Sequence, residues 1–369
     1  MRTPVAQVQS VVVKLGTQVL SDADRKLDSV YLHEIAAQVA ALRSRGIAVT
    51  LVSSGAVGAG MSLLDMPKRP TDLATLQAVA AVGQRRLMDV WALAFEPHHL
   101  HVAQVLLTRE DIDSRKRFLN LRNTIHAAQE LGAVPIINEN DTISTDEIVR
   151  ISFGDNDILA ANVACALRAD LLIILSNVDG VLDEHGKPLR SIDRVEDAAA
   201  LVRAEKSSLG KGGMSSKFEA ARMMTSAGEM MIVAHGRAKD VLVRLISGEE
   251  LGTLFMPRRN DRSSGKARWI GAVRPAGKII VDDGAARAIH ERDVSLLPAG
   301  IVDLEGDFEK GDIVAIVTPT SHKIAHGLTN YSAADLAIIK GKKTSEVRAI
   351  LKERAYDEVI HRDNLVKLT

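Results

Sequence analysis

Two lysines beside glycines are the residues of this chain whose types and spacing point most directly to chemistry. Lys14 interrupts the apolar strand pattern VVVKLGTQVL of residues 11–20, and Lys217 closes the segment GKGGMSSK of residues 210–217. Glycines at a strand-to-helix turn let backbone N–H groups approach a phosphate, and the following helix N-terminus adds partial positive charge. A lysine about 4 Å from a transferring phosphoryl group contributes on the order of 4 kcal/mol at an effective dielectric near 20. The pair therefore indicates phosphoryl transfer, in which positioning and charge neutralisation carry most of the catalysis.

The same residues also have plainer interpretations. GKGGMSSK could be a flexible surface turn, and Lys14 could be a snorkelling side chain at the end of a strand. Asp155 and Asn156 stand at the start of the apolar run FGDNDILAANVA, where they could cap a helix. Capping and a role in chemistry can coexist.

The absence of histidine from the candidate loops suggests which group accepts the phosphoryl group. Four loops follow predicted strands: KLGT (14–17), SSGAVGAG (53–60), NENDTIS (138–144) and GKGGMSSK (210–217), and none contains histidine. An alcohol acceptor would call for a nearby base, whereas a carboxylate is already ionised at neutral pH. The loops therefore favour transfer to a carboxylate, which forms an acyl phosphate.

The elements that must position these loops follow from the hydrophobic pattern. Short β-branched runs alternate with helical periodicity, which predicts the α/β class: a three-layer αβα sandwich with a mainly parallel open sheet. Ligands collect at the carboxyl ends of the strands of such a sheet. The predicted strands are SVVVKL, GIAVTLVSS, HVAQVLL, AVPIIN, ADLLIIL and EMMIVA, and the predicted helices are 28–45, 72–96, 115–131, 156–168 and 215–228.

The chain divides into two predicted domains. Residues 1–257 carry the αβα pattern, and 258–274 is a charged linker without periodicity. Residues 275–369 show short strands separated by Gly and Asp, with helical segments near 284–291 and 332–352. The second domain is therefore expected to be small and rich in β-structure.

Composition narrows the partners and the location. The 369 residues balance 47 Lys plus Arg against 47 Asp plus Glu, so global charge does not steer the chain to nucleic acid or an anionic membrane. No window approaches the roughly 18 apolar residues of a membrane span. The one cysteine, Cys165, excludes an internal disulfide and suits a reducing compartment. A cytoplasmic protein is expected.

Two standard nucleotide motifs do not fit the glycine-rich segment SSGAVGAG. A Walker A loop needs Lys and then Ser or Thr after its second glycine, and Gly60 is followed by Met61. The dinucleotide fingerprint needs G-x-G-x-x-G, and the order here is G-x-x-G-x-G. Phosphate binding must therefore be built in another way.

The chain resembles the amino acid kinase family, in its branch that phosphorylates glutamate. Six segments carry this resemblance, in this order along the chain: VVVKLGTQVL, VSSGAVGAG, INENDTIS, FGDNDILAA, NVDGV and GKGGMSSK. The segment from about 275 onward resembles a PUA domain. INEND followed by FGDND and GGMSSK is highly specific as a set, and the resemblance covers nearly the whole chain. It implies ATP-dependent phosphorylation of the γ-carboxylate of L-glutamate to glutamyl 5-phosphate, the first step of proline biosynthesis.

The resemblance assigns catalytic roles by motif. Lys14 and Lys217 would neutralise the transferring phosphoryl group, and Asp157 would organise them. It implies a nucleotide pocket lined by Lys14, Gly16, Ser176, Asn177, Lys211, Gly212, Gly213, Met214, Ser215, Ser216 and Lys217.

Glutamate has its own implied residues. Ser54, Asp141 and Asn156 would hold it, with Asp141 as the partner of the α-ammonium, and Gly55 would offer backbone near the phosphates. Mg²⁺ would be held mainly by the ATP phosphates, with Asp155 as a candidate ligand and no dedicated protein site for the metal.

Further partners are implied in the same way. The resemblance implies feedback inhibition by proline at or beside the glutamate site. It also raises hand-over of the labile product to glutamyl phosphate reductase, and a homo-oligomer, either a dimer or a tetramer.

Two positions depart from the family pattern. Ser176-Asn177 stand where Thr-Asp is common, which removes a carboxylate beside the nucleotide and leaves nucleotide preference open. Lys211 replaces a usual Thr, and its added charge could assist phosphate binding or simply be solvated.

Two rival functions stay open. A related kinase could act on aspartate, N-acetylglutamate or carbamate, although Asp141 suits a free α-amino group that an N-acetylated substrate lacks. The PUA-like domain could instead bind structured RNA. Residues 275–369 show no dense basic stripe interleaved with aromatics, and the chain is only 3% aromatic, so RNA binding is unsupported.

Overall fold

The computed structural model describes most of the chain, as two compact units, Met1–Arg262 and Ser263–Thr369. Most of the predicted linker, 258–274, falls outside the described residues, as do Asp155, Lys211 and Gly212 of the predicted site. The described residues are 2–24, 26–143, 156–183, 185–196, 198, 213–257, 270–271, 273–292, 294–351 and 356–368.

The first unit is built on an eight-stranded sheet in the order β3-β4-β2-β1-β5-β7-β8-β6. Neighbours from β3 to β7 pair in parallel, and β8 pairs antiparallel with β7. The predicted α/β class with a mainly parallel sheet is confirmed. The strands are β1 (Ser10–Leu15), β2 (Ala48–Ser53), β3 (Val102–Leu107), β4 (Val134–Glu139), β5 (Leu171–Ser176), β6 (Ser191–Ile192), β7 (Met230–His235) and β8 (Thr253–Phe255).

Nine described helices accompany this sheet, and the long ones begin at acidic or hydroxyl caps. The Asp28 carboxylate accepts from the Tyr31 N–H, and the Asp72 carboxylate accepts from the Thr75 N–H. None of the described helices has both the length and the apolarity that a bilayer span requires. The helices are α1 (Thr17–Leu20), α2 (Ser29–Ser44), α3 (Ala56–Leu63), α4 (Leu73–Phe95), α5 (Arg109–Asp113), α6 (Arg115–Glu130), α7 (Asp157–Leu167), α8 (Gly213–Ser226) and α9 (Val241–Ile246).

Segment 53–60 differs from its prediction as a glycine-rich loop. Residues from Ala56 onward form helix α3, and only Gly55, at its N-cap, has a left-handed backbone, with φ of 107°. Gly60 is helical and serves close packing, because a Cβ there would lie 1.9 Å from the Val79 carbonyl oxygen. Its glycines therefore supply a turn and a helix contact rather than a long mobile loop.

The two faces of β1 explain where Lys14 lies. Val11, Val13 and Leu15 belong to the hydrophobic core that includes side chains of α2, α4 and α9. Successive side chains of a strand point to opposite faces. Lys14 therefore projects toward the other layer of helices, where α7 packs against β1 and against α8.

The strand order also explains why the site forms at β1. From β1 the chain adds β2 on one side, continues to β3 and β4, and then returns to place β5 on the other side of β1. Such a change of direction opens a crevice at the carboxyl ends of the strands. Gly16, Ser54 and Ser176 lie at or directly after the carboxyl ends of these three central strands.

The second unit is a separate β-rich fold with its own core, as predicted. Its sheet has the order β10-β9-β11-β12-β13, antiparallel except for the β9–β11 pair. The predicted helical segment 332–352 is two helices, because the chain leaves the helix at Lys340 and Gly341 takes a φ of 74°. The elements are β9 (Gly277–Val281), α10 (Asp283–Glu291), β10 (Ile301–Glu305), β11 (Ile313–Val317), β12 (Lys323–Leu328), α11 (Ala333–Ile339), α12 (Thr344–Leu351) and β13 (Leu365–Lys367).

Candidate active site

Lys14 and Lys217 meet on one carboxylate. Lys14 Nζ lies 2.7 Å from Oδ1 of Asp157, and Lys217 Nζ lies 3.1 Å from Oδ2 of the same side chain. Lys14 lies on β1, Lys217 is the fifth residue of α8, and Asp157 is the first residue of α7. The structure thus brings together the three residues that the sequence analysis singled out as catalytic.

The electrostatics of this cluster favour an anionic ligand. The side chains of Lys14, Asp157 and Lys217 are 2%, 0% and 6% exposed, so two cations and one anion share a site with little water. Burial opposes ionisation of Asp157, but the charges and hydrogen bonds of the two lysines outweigh it and hold the pKa of that carboxyl below its usual range. The two ammonium groups can interact with the charge of an incoming phosphate.

The start of α8 supplies a further contact. Ser216 Oγ donates to Oδ2 of Asp157 at 3.0 Å. The helix begins at Gly213, so Gly213, Met214 and Ser215 form its first turn rather than a loop before it. The described part of GKGGMSSK is therefore a helix N-terminus that carries Lys217 inward.

Glycine at position 16 flanks the Lys14 ammonium. A Cβ added there would lie 3.5 Å from Lys14 Nζ, an ordinary contact distance. The Gly16 N–H points to the Leu175 carbonyl oxygen at 3.4 Å, which links the loop after β1 to β5. The N–H of Ser54, which follows β2, donates to the carbonyl oxygen of Leu15 at the end of β1, at 3.1 Å.

A second group of polar side chains lies at the end of β4. Asn156 Nδ2 donates to Asn138 Oδ1 at 2.8 Å, and Asn138 Nδ2 donates to Gln84 Oε1 at 2.8 Å. Asn156 is the N-cap of α7, yet its side chain makes no capping hydrogen bond. Its amide therefore serves the contact with Asn138 rather than the helix end.

Asp141 stands just beyond β4 and is half-buried. Burial and the nearby charge of Glu139 raise the pKa of its carboxyl to about 6, with Arg69 acting in the opposite direction. A carboxylate in such a setting gains from an incoming cation, because an ammonium group would restore the favourable charge balance.

The predicted nucleotide residues after β5 lie next to each other at the surface end of that strand. Ser176 Oγ contacts Asn177 Oδ1 at 3.3 Å, and Asn177 is exposed. Lys211 and Gly212 fall outside the described residues, so their assignment stays a prediction.

The carboxylate of Asp157 is the group beside the two lysines whose chemistry could suit a metal ion. Both oxygens of Asp157 already contact cations or a hydroxyl, and the described ranges contain no group of three or more His, Cys, Asp or Glu that could hold a metal ion. The described donors therefore do not form a protein cage for Mg²⁺, an ion that commonly keeps waters and substrate phosphates as ligands.

Gln84, like Asn138, is a residue of this site that the sequence analysis did not name. It lies in the middle of α4, where the buried stripe runs through Leu76, Ala80, Leu87 and Trp91. A polar amide on that stripe was the available signal, since buried polar groups need a partner. The pattern could not say which strand would supply it.

The chain matches the model of the amino acid kinase family over residues 9–235 and that of the PUA domain over residues 277–351. It is 45% identical over 368 residues to the glutamate 5-kinase of Thermus thermophilus, which covers 98% of each chain. It is 42% identical over 373 residues to that of Pseudomonas entomophila, covering 99% of this chain and 100% of the relative. It is also 42% identical over 366 residues to that of Caldanaerobacter subterraneus, covering 97% of each.

Proposed function

Because this chain belongs to the amino acid kinase family, with a PUA domain at its carboxy-terminal side, we propose that it transfers the γ-phosphoryl group of ATP to the γ-carboxylate of L-glutamate. The products are ADP and glutamyl 5-phosphate. The observation that carries the proposal is the convergence of the Lys14 and Lys217 ammonium groups on Asp157. The glutamate 5-kinase relatives support the choice of acceptor.

The reaction needs charge neutralisation more than proton transfer. An oxygen of the γ-carboxylate attacks the γ-phosphorus, the new carboxyl O–P bond forms, and the bond from that phosphorus to the β,γ-bridging oxygen breaks. The electron pair of the broken bond leaves with ADP. Lys14 and Lys217 stabilise the charge on the transferring group, and Asp157 keeps both ammonium groups on one side of it. The γ-carboxylate is ionised at neutral pH, so no general base is required.

Glutamate recognition is assigned to the end of β4 and its neighbours. Asp141 pairs with the α-ammonium, and Ser54 and Asn156 supply further hydrogen bonds to the substrate. The raised pKa of Asp141 supports this role, because its carboxylate lacks a cation strong enough to offset Glu139 and burial. Gly55 keeps the turn before α3 in a left-handed conformation that a side chain would strain.

The nucleotide is assigned to the other side of the crevice. The N-terminal turn of α8, Gly213–Ser216, offers backbone N–H groups and the positive end of a helix dipole to phosphates. Gly16, Ser176 and Asn177, with Lys211 and Gly212, complete the assigned pocket. The ATP phosphates would hold Mg²⁺, with Asp155 as its candidate protein ligand, and the ion would offset part of their negative charge.

We propose three further properties of the chain: inhibition by proline, hand-over of the product to glutamyl phosphate reductase, and a homo-oligomeric state. All three rest on the family resemblance of the sequence. A cytoplasmic location belongs with them and rests on the single cysteine, Cys165.

Trapping of the acyl phosphate tests the reaction. The chain is incubated with ATP, Mg²⁺ and hydroxylamine in parallel with glutamate, aspartate or N-acetylglutamate, and both hydroxamate and ADP are measured. We expect hydroxamate from glutamate. Hydroxamate from aspartate but not from glutamate would overturn the assignment.

RNA binding by the second unit is tested separately. We expect no electrophoretic shift of tRNA at moderate salt. A shift that weakens steeply as salt rises would instead favour RNA binding, because release of counterions gives that dependence.

A further inference from the structure

Three amide side chains form a continuous hydrogen-bonded row from the middle of α4 to the N-terminus of α7. Gln84 accepts from Asn138, and Asn138 accepts from Asn156, each at 2.8 Å. Gln84 is 8% exposed and Asn138 is 4% exposed, so the inner hydrogen bond lies out of water. An amide that lost its partner here would leave a buried polar group unsatisfied.

The position of Gln84 is fixed by the packing of α3 on α4. The preceding residue, Gly83, has no side chain, and a Cβ there would lie 1.8 Å from the Ala56 carbonyl oxygen. The two helices therefore touch through backbone at this level. Gln84 has little freedom to move along or away from the site, which makes it suitable for orienting another group.

The row also has a direction. A primary amide carries a donor nitrogen and an acceptor oxygen on opposite sides of one plane, and in the structure the Asn156 and Asn138 nitrogens each face the oxygen of the next residue toward α4. Gln84 Oε1 takes the nitrogen of Asn138, which leaves the Asn138 oxygen for the nitrogen of Asn156. The oxygen of Asn156 then faces away from Asn138, as an acceptor for a ligand.

We propose that Gln84 is a positioning residue that, through Asn138, turns the Asn156 amide so that its oxygen meets the α-ammonium of glutamate. This inference rests on the proposed function, since it names the substrate group that the row recognises. Gln84 itself does not touch the substrate. It holds Asn138 as the acceptor for the Asn156 nitrogen, so that the Asn156 oxygen is presented to a substrate that carries an α-ammonium.

The test compares glutamate with glutarate, which has both carboxylates but no α-ammonium. Gln84→Met keeps the length of the side chain and removes both polar atoms. We expect the KM for glutamate to rise about tenfold, the cost of one hydrogen bond to a charged group. The inhibition constant of glutarate against glutamate and the KM for ATP should stay within about twofold of wild type.

Two further variants separate positioning from stability. Gln84→Glu keeps an oxygen that accepts from Asn138, so its KM for glutamate should stay within about threefold of wild type. Gln38→Met is the matched control, because Gln38 is also 8% exposed and its Oε1 accepts from the Leu242 N–H. That change should lower the unfolding temperature and leave both substrate constants unchanged.

The inference is overturned if Gln84→Met leaves the KM for glutamate unchanged, or weakens glutamate and glutarate by the same factor. If Gln84→Met does not fold, Gln84→Glu decides, and a tenfold rise in its KM for glutamate overturns the inference. Failure of the proposed function is a different result, because wild type would then form no hydroxamate from glutamate at all.

Discussion

Lys14 Nζ lies 2.7 Å from Oδ1 of Asp157, and both side chains are almost completely buried. A buried ion pair of this kind is weak evidence for stability, because desolvation offsets much of the attraction. Lys217 adds a second cation on the same carboxylate. Such an arrangement is better suited to a ligand that brings negative charge than to the fold alone.

Replacing Asp157 by Asn should therefore damage both catalysis and stability. Two ammonium groups would face each other across a neutral amide, and loss of one partner of a buried pair costs about 3–5 kcal/mol. We expect turnover to fall by more than about a hundredfold, together with a lower free energy of unfolding, measured by denaturant titration.

The exposed pair Lys340–Asp303 supplies the control for this change. Its atoms are 2.6 Å apart, with side chains 36% and 63% exposed. Asp303→Asn should change the free energy of unfolding far less than Asp157→Asn does and leave turnover unchanged. Equal effects of the two substitutions would contradict the special role of Asp157.

Removing either lysine should lower turnover more than nucleotide affinity. At about 4 Å and an effective dielectric near 20, each charge contributes on the order of 4 kcal/mol, or about a thousandfold in rate before desolvation. Lys14→Ala and Lys217→Ala should each reduce kcat by two to three orders of magnitude, with a smaller change in the KM for ATP. Lys340→Ala is the matched control, and unchanged kcat in both site variants would remove their proposed role.

The part of this site that could be predicted from the sequence is the part that follows from the geometry of parallel strands. Lys14 and Asp157 lie far apart in the chain, yet their convergence was predictable because carboxyl ends of parallel strands meet at one edge. The partner of Gln84 was not predictable, because helical periodicity indicates which face of a helix is buried but not which residue packs against it. The helix at Ala56–Leu63 was missed because glycines in sequence do not reveal whether they serve a turn or close packing.

The pKa of Asp141 gives glutamate binding a pH dependence. Its free-enzyme pKa is about 6, and only the ionised form pairs with the α-ammonium. We expect kcat/KM for glutamate to fall by about tenfold per pH unit below pH 6, with little change between pH 7 and 8. Asp141→Asn should lower kcat/KM at pH 7.5 and flatten the profile between pH 5 and 7. A profile that keeps its step in the Asn variant would assign the titration to another group.

The raised pKa of Asp141 also affects stability: a rise in pH that favours glutamate binding lowers the contribution of Asp141 to the free energy of unfolding. The folded pKa of Asp141 lies above its ordinary value of 3.8, so the folded chain binds more protons between about pH 4 and 6. The contribution of Asp141 to the free energy of unfolding therefore decreases as pH rises through that window and stays low above it. Asp141→Asn should raise the free energy of unfolding at pH 7.5, and an unchanged value would argue against the raised pKa.

The backbone contact between α3 and α4 can be tested with two glycines of opposite surroundings. A Cβ at Gly83 would lie 1.8 Å from the Ala56 carbonyl oxygen and 2.3 Å from the Gly60 nitrogen, and both are backbone atoms that cannot rotate away. Gly83→Ala must push the helices apart, so we expect a loss of about 2–4 kcal/mol in the free energy of unfolding, in the range of overpacked cores or above it. A Cβ at Gly58, inside α3, meets no atom within 4 Å, and Gly58→Ala should stabilise the chain by about 0.5–1 kcal/mol through helix propensity.

Because Gln84 follows Gly83 directly, separation of the helices also displaces the Gln84–Asn138 hydrogen bond, and Gly83→Ala should raise the KM for glutamate where Gly58→Ala does not. Equal stability of the two variants would show that the helices can separate without cost.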